Sequence, residues 1–532
     1  MPNESKHSQS SQNHEHTVLE TFKSLIMAFV LAMTFRGFVA EGFVIPTGSM
    51  APTLMGQHAL IHSDATGSSF PIGMDPNQQS VDLPGVADPM LGPEFRGKGM
   101  ANASDRKHMG DRILVIKTLY PFFSPRRFDV VVFKNPTEPV GASANYIKRL
   151  IGLPNEKIWL VDGDIFAGPS DQPERRDDYR IQRKPEHVQR AVWQSIAHSD
   201  FLPDSTRPVD WRYNGPPWVG SRWETQGRRF YRSETDDPTT LRWRNDIRAI
   251  DDWTAYNQPR HAGWRPHNVS DIRIRAGIIP DREGLKTTLQ IRTRMHDYQF
   301  IIADGKATVR MARVSATPRW TEQSQSVSLP GAGKVFNIEF WHVDQSMALY
   351  IDGKRVAYLE YDWLPEERLR YATNLLEEDD MDELLDFQPD LPEITWFFEG
   401  SPVSLHRVAL DRDLHYRTVR MDHSNQRNNP AEGYEELVRF GSWGFGTHPD
   451  KPAVLGPDHF LMLGDNSARS LDGRLWGSPA QIVAEQIDPM PFVVNRKLLM
   501  GKAWVVYFPS MHALSDNGRA FIPDFGRMRF IR

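Results

Sequence analysis

The sequence predicts a mainly β protein that carries one apolar helix near its N-terminus and an inserted β-sandwich or jelly roll. Three observations lead there. The chain has a mean hydropathy of −0.51, yet residues 25–35 form an uncharged apolar run, the only strong one in the sequence. From residue 110 onward, short segments rich in Val, Ile, Phe and Tyr alternate with turn residues, which is the period-two signature of strands. A length of 532 residues exceeds what a single core usually supports, so at least two domains are expected.

Residues 1–17 are rich in Ser, Asn and His and read as a disordered tail. Residues 18–40 reach the ~20 residues of a membrane span if Glu20, Lys23 and Arg36 sit at the interfaces. Length and periodicity leave three readings open: a membrane anchor, a cleavable signal peptide, or a buried amphipathic helix. Residues 65–109, dense in Gly, Pro, Ser and Asp, read as a long loop insertion. Strands follow at 110–117 (GDRILVIK), 127–136 (RFDVVVFKNP) and within 144–168, where Asp162-Gly163 is a hairpin turn.

From residue 169 the composition shifts toward Arg, Asp, Pro and Trp, with seven of the fifteen tryptophans between Trp193 and Trp264. Alternating strands then run on past residue 400, with turns at Asp304-Gly305, Asp344-Gln345 and Asp352-Gly353. Tryptophans at alternate strand positions read as core before they read as a ligand platform. The acidic run 377–386 reads as a solvated loop; its spacing matches no EF-hand calcium loop, and calcium binding by the insertion stays open as an alternative. Residues 458–478 and 498–509 return to strand, polar loop and closing strand.

Composition excludes several functions. Asp plus Glu (68) nearly balance Lys plus Arg (63) for a net charge of −5, so no nucleic-acid partner is expected. The absence of cysteine removes disulfides, thiolate nucleophiles and Cys-based zinc sites. No metal and no cofactor is expected.

The turn IPTGSM, residues 45–50, lies just after the apolar run. Its Ser49 is inert as a nucleophile unless a neighbouring base takes the hydroxyl proton. A lysine can be that base if burial lowers its pKa toward neutrality. In NYIKRLIG, Lys148 shares a strand face with Tyr146 and Leu150, which gives it reason to be desolvated, although an IKR triplet is more often a solvated face. In GDNSARSLDGR, Gly464, Asp465 and Asn466 form a polar turn, Asp472 and Arg474 can pair to pin the loop, and Ser470 can orient an amine.

Together and in this order, PTGSM-PTL, GDRILVIK, YIKRLIGLP and LGDNS--S-DGR-WG resemble the bacterial type I signal peptidase family, the serine–lysine leader peptidases. The resemblance covers roughly residues 24–61, 110–168 and 458–509. It implies an all-β catalytic domain and cleavage of signal peptides from exported preproteins at the outer face of the inner membrane. Carried over by motif, it implies Ser49 as nucleophile and Lys148 as general base. It further implies an oxyanion hole from Ser49 N–H and Thr47, and an orienting or structural role for Ser470, Asp472, Arg474, Asp465 and Arg149. Phe43, Ile45, Met50, Leu54, Tyr146 and Ile147 match positions that line shallow pockets for small substrate residues. The resemblance also selects the anchor among the readings of the apolar run, with the lipid bilayer and preprotein signal peptides as partners.

There are two departures: Gly473 stands where the family usually has Ser, and PNEK replaces its Pro-Gly-Asp turn. The strand pattern and Y-DGK hairpin of the second half of the insertion resemble concanavalin-like (laminin-G-like) jelly rolls, which implies a glycan or protein ligand. The expected organisation is a tail at 1–17, an anchor at 18–40, a discontinuous catalytic domain at 41–168 and 421–532, and a jelly-roll domain at 169–420. The competing reading is a membrane-tethered binding protein with an inactive peptidase frame.

Overall fold

The structure is a computed structural model. It describes residues 5–75, 77–78, 81, 85–95, 107–120, 122–138, 145–203, 215–226, 230–258, 265–422, 428–509, 511–513, 521–523 and 525–532. Helix Ser5–Thr34 continues into a π-helical turn, Phe35–Val39. Residues Glu20–Val39 are long and apolar enough to cross a membrane, and Leu25, Met27, Phe29 and Leu31 of this stretch are all exposed. The helix also takes in polar residues 5–17, where the composition predicts no structure. No Gly or Pro interrupts residues 5–34, so nothing local stops the helix there.

Behind the helix stands an antiparallel sheet in the order Ala40–Val44, Arg112–Ile116, Leu499–Phe508, Val130–Lys134, Asn145–Gly152, His459–Leu463 and Val494–Asn495. It joins strands from before residue 153 to strands from after residue 458. The chain between them is therefore a long excursion from one continuous sheet. Alternate strand side chains Ile113, Val115, Val130 and Val132 fill a core with Ile45, Met50 and Leu54 of the turn that follows Ala40–Val44. A smaller sheet built on the hairpin Glu156–Val161/Asp164–Pro169 extends this part of the molecule.

The excursion contains two antiparallel sheets packed face to face. One follows the order Glu224–Gln226, Phe230–Ser233, Val403–Arg412, Ile272–Pro280, Phe336–Val343, Ser346–Ile351 and Lys354–Glu360. The other follows Trp218–Val219, Thr239–Trp243, Glu393–Glu399, Lys286–Thr293, His296–Ala303, Lys306–Arg313 and Thr321–Ser326. Their inward residues form one core in which Trp218, Trp243 and Trp396 are buried with Phe300 and Phe340. These tryptophans are core, as their alternate positions predict.

The hairpin turns at Asp162-Gly163, Asp304-Gly305, Asp344-Gln345 and Asp352-Gly353 each hold two successive residues at positive φ, as tight two-residue hairpins require. A fifth, Arg294-Met295, has the same backbone but no turn chemistry in its side chains.

Two expectations need correction. The segment expected to be a long loop, 65–109, contributes strands Ser69–Gly73 and Lys107–His108, both pairing with His58–His62. Phe70 and Ile72 alternate into a small core with Ala59, Ile61 and Trp253, which is burial enough to hold the strand Ser69–Gly73. The acidic run is half helical: Asp380 caps Met381–Asp386 by accepting from the Asp382 and Glu383 amides, and Leu384 and Leu385 are buried.

Candidate active site

Ser49 lies in a tight turn between strand Ala40–Val44 and the core, closed by Ala51 N–H donating to Gly48 O and Leu54 N–H donating to Met50 O. Met50 and Leu54 are fully buried and anchor the turn from below. Lys148 is on the strand Asn145–Gly152, facing Val131 of its neighbour in register. The sheet brings the two together: Lys148 Nζ lies 2.5 Å from Ser49 Oγ, in hydrogen-bond contact. Ser49 is half-buried, while Lys148 is 2% exposed. Burial pushes the Lys148 amine down to about 8, against the opposing pull of Asp472 and Asp465 and with a small push from Arg474.

The polar loop after His459–Leu463 closes over this pair. Asp465 receives two hydrogen bonds from Arg149, Nε to Oδ1 at 2.8 Å and Nη2 to Oδ2 at 2.6 Å, and a third from the Thr53 hydroxyl at 2.5 Å. Neither Arg149 nor Asp465 exposes its side chain, so each charge is compensated in a place water does not reach. Asp472 pairs with Arg474 through two hydrogen bonds of 2.9 Å and accepts from Gly464 N–H at 3.0 Å. Arg474 in turn holds Ser467 and the Arg417 carbonyl. Arg474 and its neighbouring charges hold the Asp472 carboxyl below its ordinary range despite its burial.

Gly464 has to be glycine, because a side chain there would run into Ser470 Oγ and the Ser49 carbonyl. Ser470 is buried beside it, and its hydroxyl makes no hydrogen bond among the described residues. The hydrogen bond from Ser470 to an amine that the motif implies is thus not formed here. Thr47 is exposed, two residues before Ser49. Of the residues matched to pockets, Ile45, Met50 and Leu54 are buried in one cluster, with Phe43 and Ile147 packed against it. Tyr146 joins a neighbouring cluster, and its hydroxyl donates to Glu138 at 2.9 Å. Met50 and Leu54 expose no surface, so they underlie any groove rather than line it.

Sequence reasoning missed how Asn466 is used and everything contributed from residues 252–258. Asn466 N–H donates to Ser49 O at 3.0 Å, and its side chain donates to Gly48 O at 2.9 Å. Its partner Asn257 lies 209 positions away, a separation that no local pattern signals. Three carboxylates, Asp164, Asp271 and Asp344, lie close enough together to hold a cation, yet Arg368, Arg294 and Lys184 already compensate them.

The model of the signal peptidase family, peptidase S26, matches residues 18–76 and 96–205, which include both Ser49 and Lys148. The chain carries a peptidase S26-like domain. Signal peptidase I of Rickettsia bellii is 28% identical over 158 residues, covering 30% of this chain and 42% of the relative. Signal peptidase I of Pseudomonas aeruginosa is 29% identical over 163 residues, covering 29% and 42%. A probable signal peptidase I-2 of Synechocystis is 26% identical over 156 residues, covering 29% and 47%. The chain thus spans less than half the length of these relatives, and the S26-like domain occupies only part of a larger, mostly β chain.

Among solved structures, the chain is similar to a galectin of Caenorhabditis elegans at 13% identity and a TM-score of 0.18, over 27% of this chain and 83% of that one. It is also similar to a carbohydrate binding module of Bacillus subtilis at 8% identity and a TM-score of 0.22, over 37% and 95%. At these scores neither likeness carries an argument.

Proposed function

We propose that this protein is a membrane-anchored serine endopeptidase that removes signal peptides from exported preproteins after small residues of the Ala-X-Ala type. The observation that carries the reading is the contact of 2.5 Å between Ser49 Oγ and a lysine amine that burial brings down to about 8. In the neutral form, Lys148 accepts the Ser49 proton as Oγ attacks the scissile carbonyl carbon. The carbonyl oxygen becomes an oxyanion that accepts from Ser49 N–H and the Thr47 hydroxyl. Lys148, now an ammonium, gives its proton to the departing amine nitrogen, and the acyl-ester is then hydrolysed by water that Lys148 deprotonates in its turn. The buried hydroxyl of Ser470 is the group assigned to orient the amine, and the Arg149–Asp465 and Asp472–Arg474 pairs hold the loop that dries the site.

Small pockets over Ile45, Met50 and Leu54 select Ala by overpacking larger side chains. The helix Glu20–Val39 anchors the chain in the inner membrane and keeps Ser49 on the outer face, where substrates emerge. The catalytic domain comprises residues 41–168 and 421–532, around a jelly-roll-like insertion at 169–420.

The test is cleavage of an Ala-X-Ala signal peptide by the detergent-solubilised full chain, alongside Ser49→Ala and Lys148→Ala. The wild type is expected to cleave and each variant to lose about 10⁴-fold or more in kcat. Equal cleavage by all three, or none by the wild type, ends this reading.

A second, separate binding role attaches to the outer face of the sheet containing Glu393–Glu399. An open groove of about 740 Å³ there presents Phe397 beside Thr288, Gln290, Gln299 and Arg310. Arg310 Nε donates to Gln299, and Gln299 to Gln290, so the polar groups are pre-oriented for a glycan or protein ligand.

A further inference from the structure

The turn that holds Ser49 is braced by a segment about 200 positions further along the chain. A single 3₁₀ turn, Ala255–Asn257, is capped by Thr254 and stapled at several points. Asp252 takes two hydrogen bonds from Arg417, and Arg417 N–H donates to Ser467 Oγ at 2.9 Å. The Gln258 side chain pairs with both backbone groups of Ala87, accepting at 2.6 Å and donating at 2.9 Å. The ring of Tyr256 lies so close over Gly48 and Gly73 that a methyl at either glycine would overlap it.

Between these staples, Asn257 and Asn466 form a reciprocal carboxamide pair. Asn257 Nδ2 donates to Asn466 Oδ1 at 2.7 Å, and Asn466 Nδ2 donates back to Asn257 Oδ1 at 2.8 Å. The second hydrogen of Asn466 Nδ2 goes to Gly48 O at 2.9 Å, so every polar group of that carboxamide is committed.

Gly48 C=O and Ser49 N–H belong to one planar peptide and point in opposite directions. Ala51 N–H and Asn466 Nδ2 both hold the Gly48 carbonyl, and what fixes the carbonyl aims the amide hydrogen. The Asn257 pair fixes which end of the Asn466 carboxamide faces Gly48; a flipped amide would set oxygen against oxygen. We propose that Asn257 is a positioning residue for the Ser49 N–H, acting through Asn466 and the Gly48–Ser49 peptide, so that residues 252–258 are a working part of the peptidase site. This rests on the reading of Ser49 as nucleophile, in which that N–H stabilises the oxyanion.

The experiment is steady-state cleavage of the Ala-X-Ala peptide by the full chain in detergent, with Ser49→Ala, Asn257→Ala, Asn466→Ala and the Asn257→Ala/Asn466→Ala double variant. Asn257→Ala is expected to lower kcat about 10- to 100-fold, the scale of a misaimed oxyanion donor, with KM within about twofold of wild type. Lys148 is untouched, so the pH midpoint stays where it is in the wild type. A peptide aldehyde, which forms a tetrahedral adduct with the serine, should lose affinity by the same factor as kcat/KM, while an uncleavable peptide binds as before. The double variant should be no worse than Asn466→Ala alone, because both act through one path. An unchanged kcat, an additive double variant, or a loss confined to KM overturns the proposal. Should Asn257→Ala lower Tm by more than a few degrees, Asn257→Ser decides by the same kcat criterion. If Ser49→Ala cleaves as well as wild type, the reading of the site fails and this inference fails with it.

Discussion

A lysine amine works as a base only in the fraction that has lost its proton. At the ordinary pKa of about 10.4 that fraction near pH 7 is well below one in a thousand. At about 8, where burial brings Lys148, it is roughly a tenth. The sign follows directly. On the proposed reading the active form is the deprotonated one, so log kcat/KM should rise with pH at unit slope, turn over near pH 8 and stay flat above it until other groups intervene. A profile flat from pH 6 to 9, or one that climbs until about 10.5, would show that Lys148 is either not the base or not desolvated. Lys148 itself was half legible in the sequence. Tyr146 and Leu150 on the same strand face suggest an apolar setting, but the loop that completes the burial comes from residues more than 300 positions away.

At the scale of elements, the loop Gly464–Arg474 shows why a motif can tolerate one departure and still close. Gly473 N–H donates to Met462 O, and a Cβ at Gly473 would sit 2.7 Å from Leu461 Cδ1, 3.0 Å from Met462 O and 3.2 Å from Phe492 O. Restoring the serine usual at this position should therefore cost about 1–3 kcal/mol through overpacking, read as a lower midpoint in urea denaturation. A Gly473→Ser variant as stable as wild type would show that the loop has slack.

Elements with strong local chemistry were legible. Asp162-Gly163, Asp304-Gly305 and Asp352-Gly353 turn where their residues favour positive φ. Arg294-Met295 makes the same turn without that chemistry, because Arg294 is held by ion pairs to Asp162 and Asp271. Helix Pro365–Thr373 was missed for a related reason, since its buried face includes a charged residue, Arg368, that no apolar periodicity would flag.

The whole molecule is tied together by buried charge. Arg368 reaches Asp162 and Asp164 of the hairpin beside the S26-like sheet at 3.1 and 2.8 Å, and Asp271 of the two-sheet excursion at 3.3 Å. Arg294 repeats two of these contacts. Burial pushes the Asp164 carboxyl up, while the two guanidinium groups hold Asp271 far down. Arg368→Met would strand carboxylates in a dry place and should destabilise the protein by about 3–5 kcal/mol, measured by guanidinium denaturation. A change under about 1 kcal/mol would mean that Arg294 alone suffices. Nothing in the sequence announces this junction. Asp162-Gly163 reads as turn chemistry, and its second task appears only when residues 162, 271, 294 and 368 meet in space.

The sheet that joins strands from both ends of the chain has a consequence for the order of synthesis. Ser49 and Lys148 leave the ribosome early, but the groups that shut out water around them, Asp465, Asp472 and Arg474, come 316 or more positions after Arg149. Until then the loop Gly464–Arg474 cannot keep water from the amine, and the contacts of Asn466 to Gly48 and Ser49 are missing. On the proposed reading, a nascent chain therefore carries Ser49 and Lys148 as an incomplete site until that loop has been made.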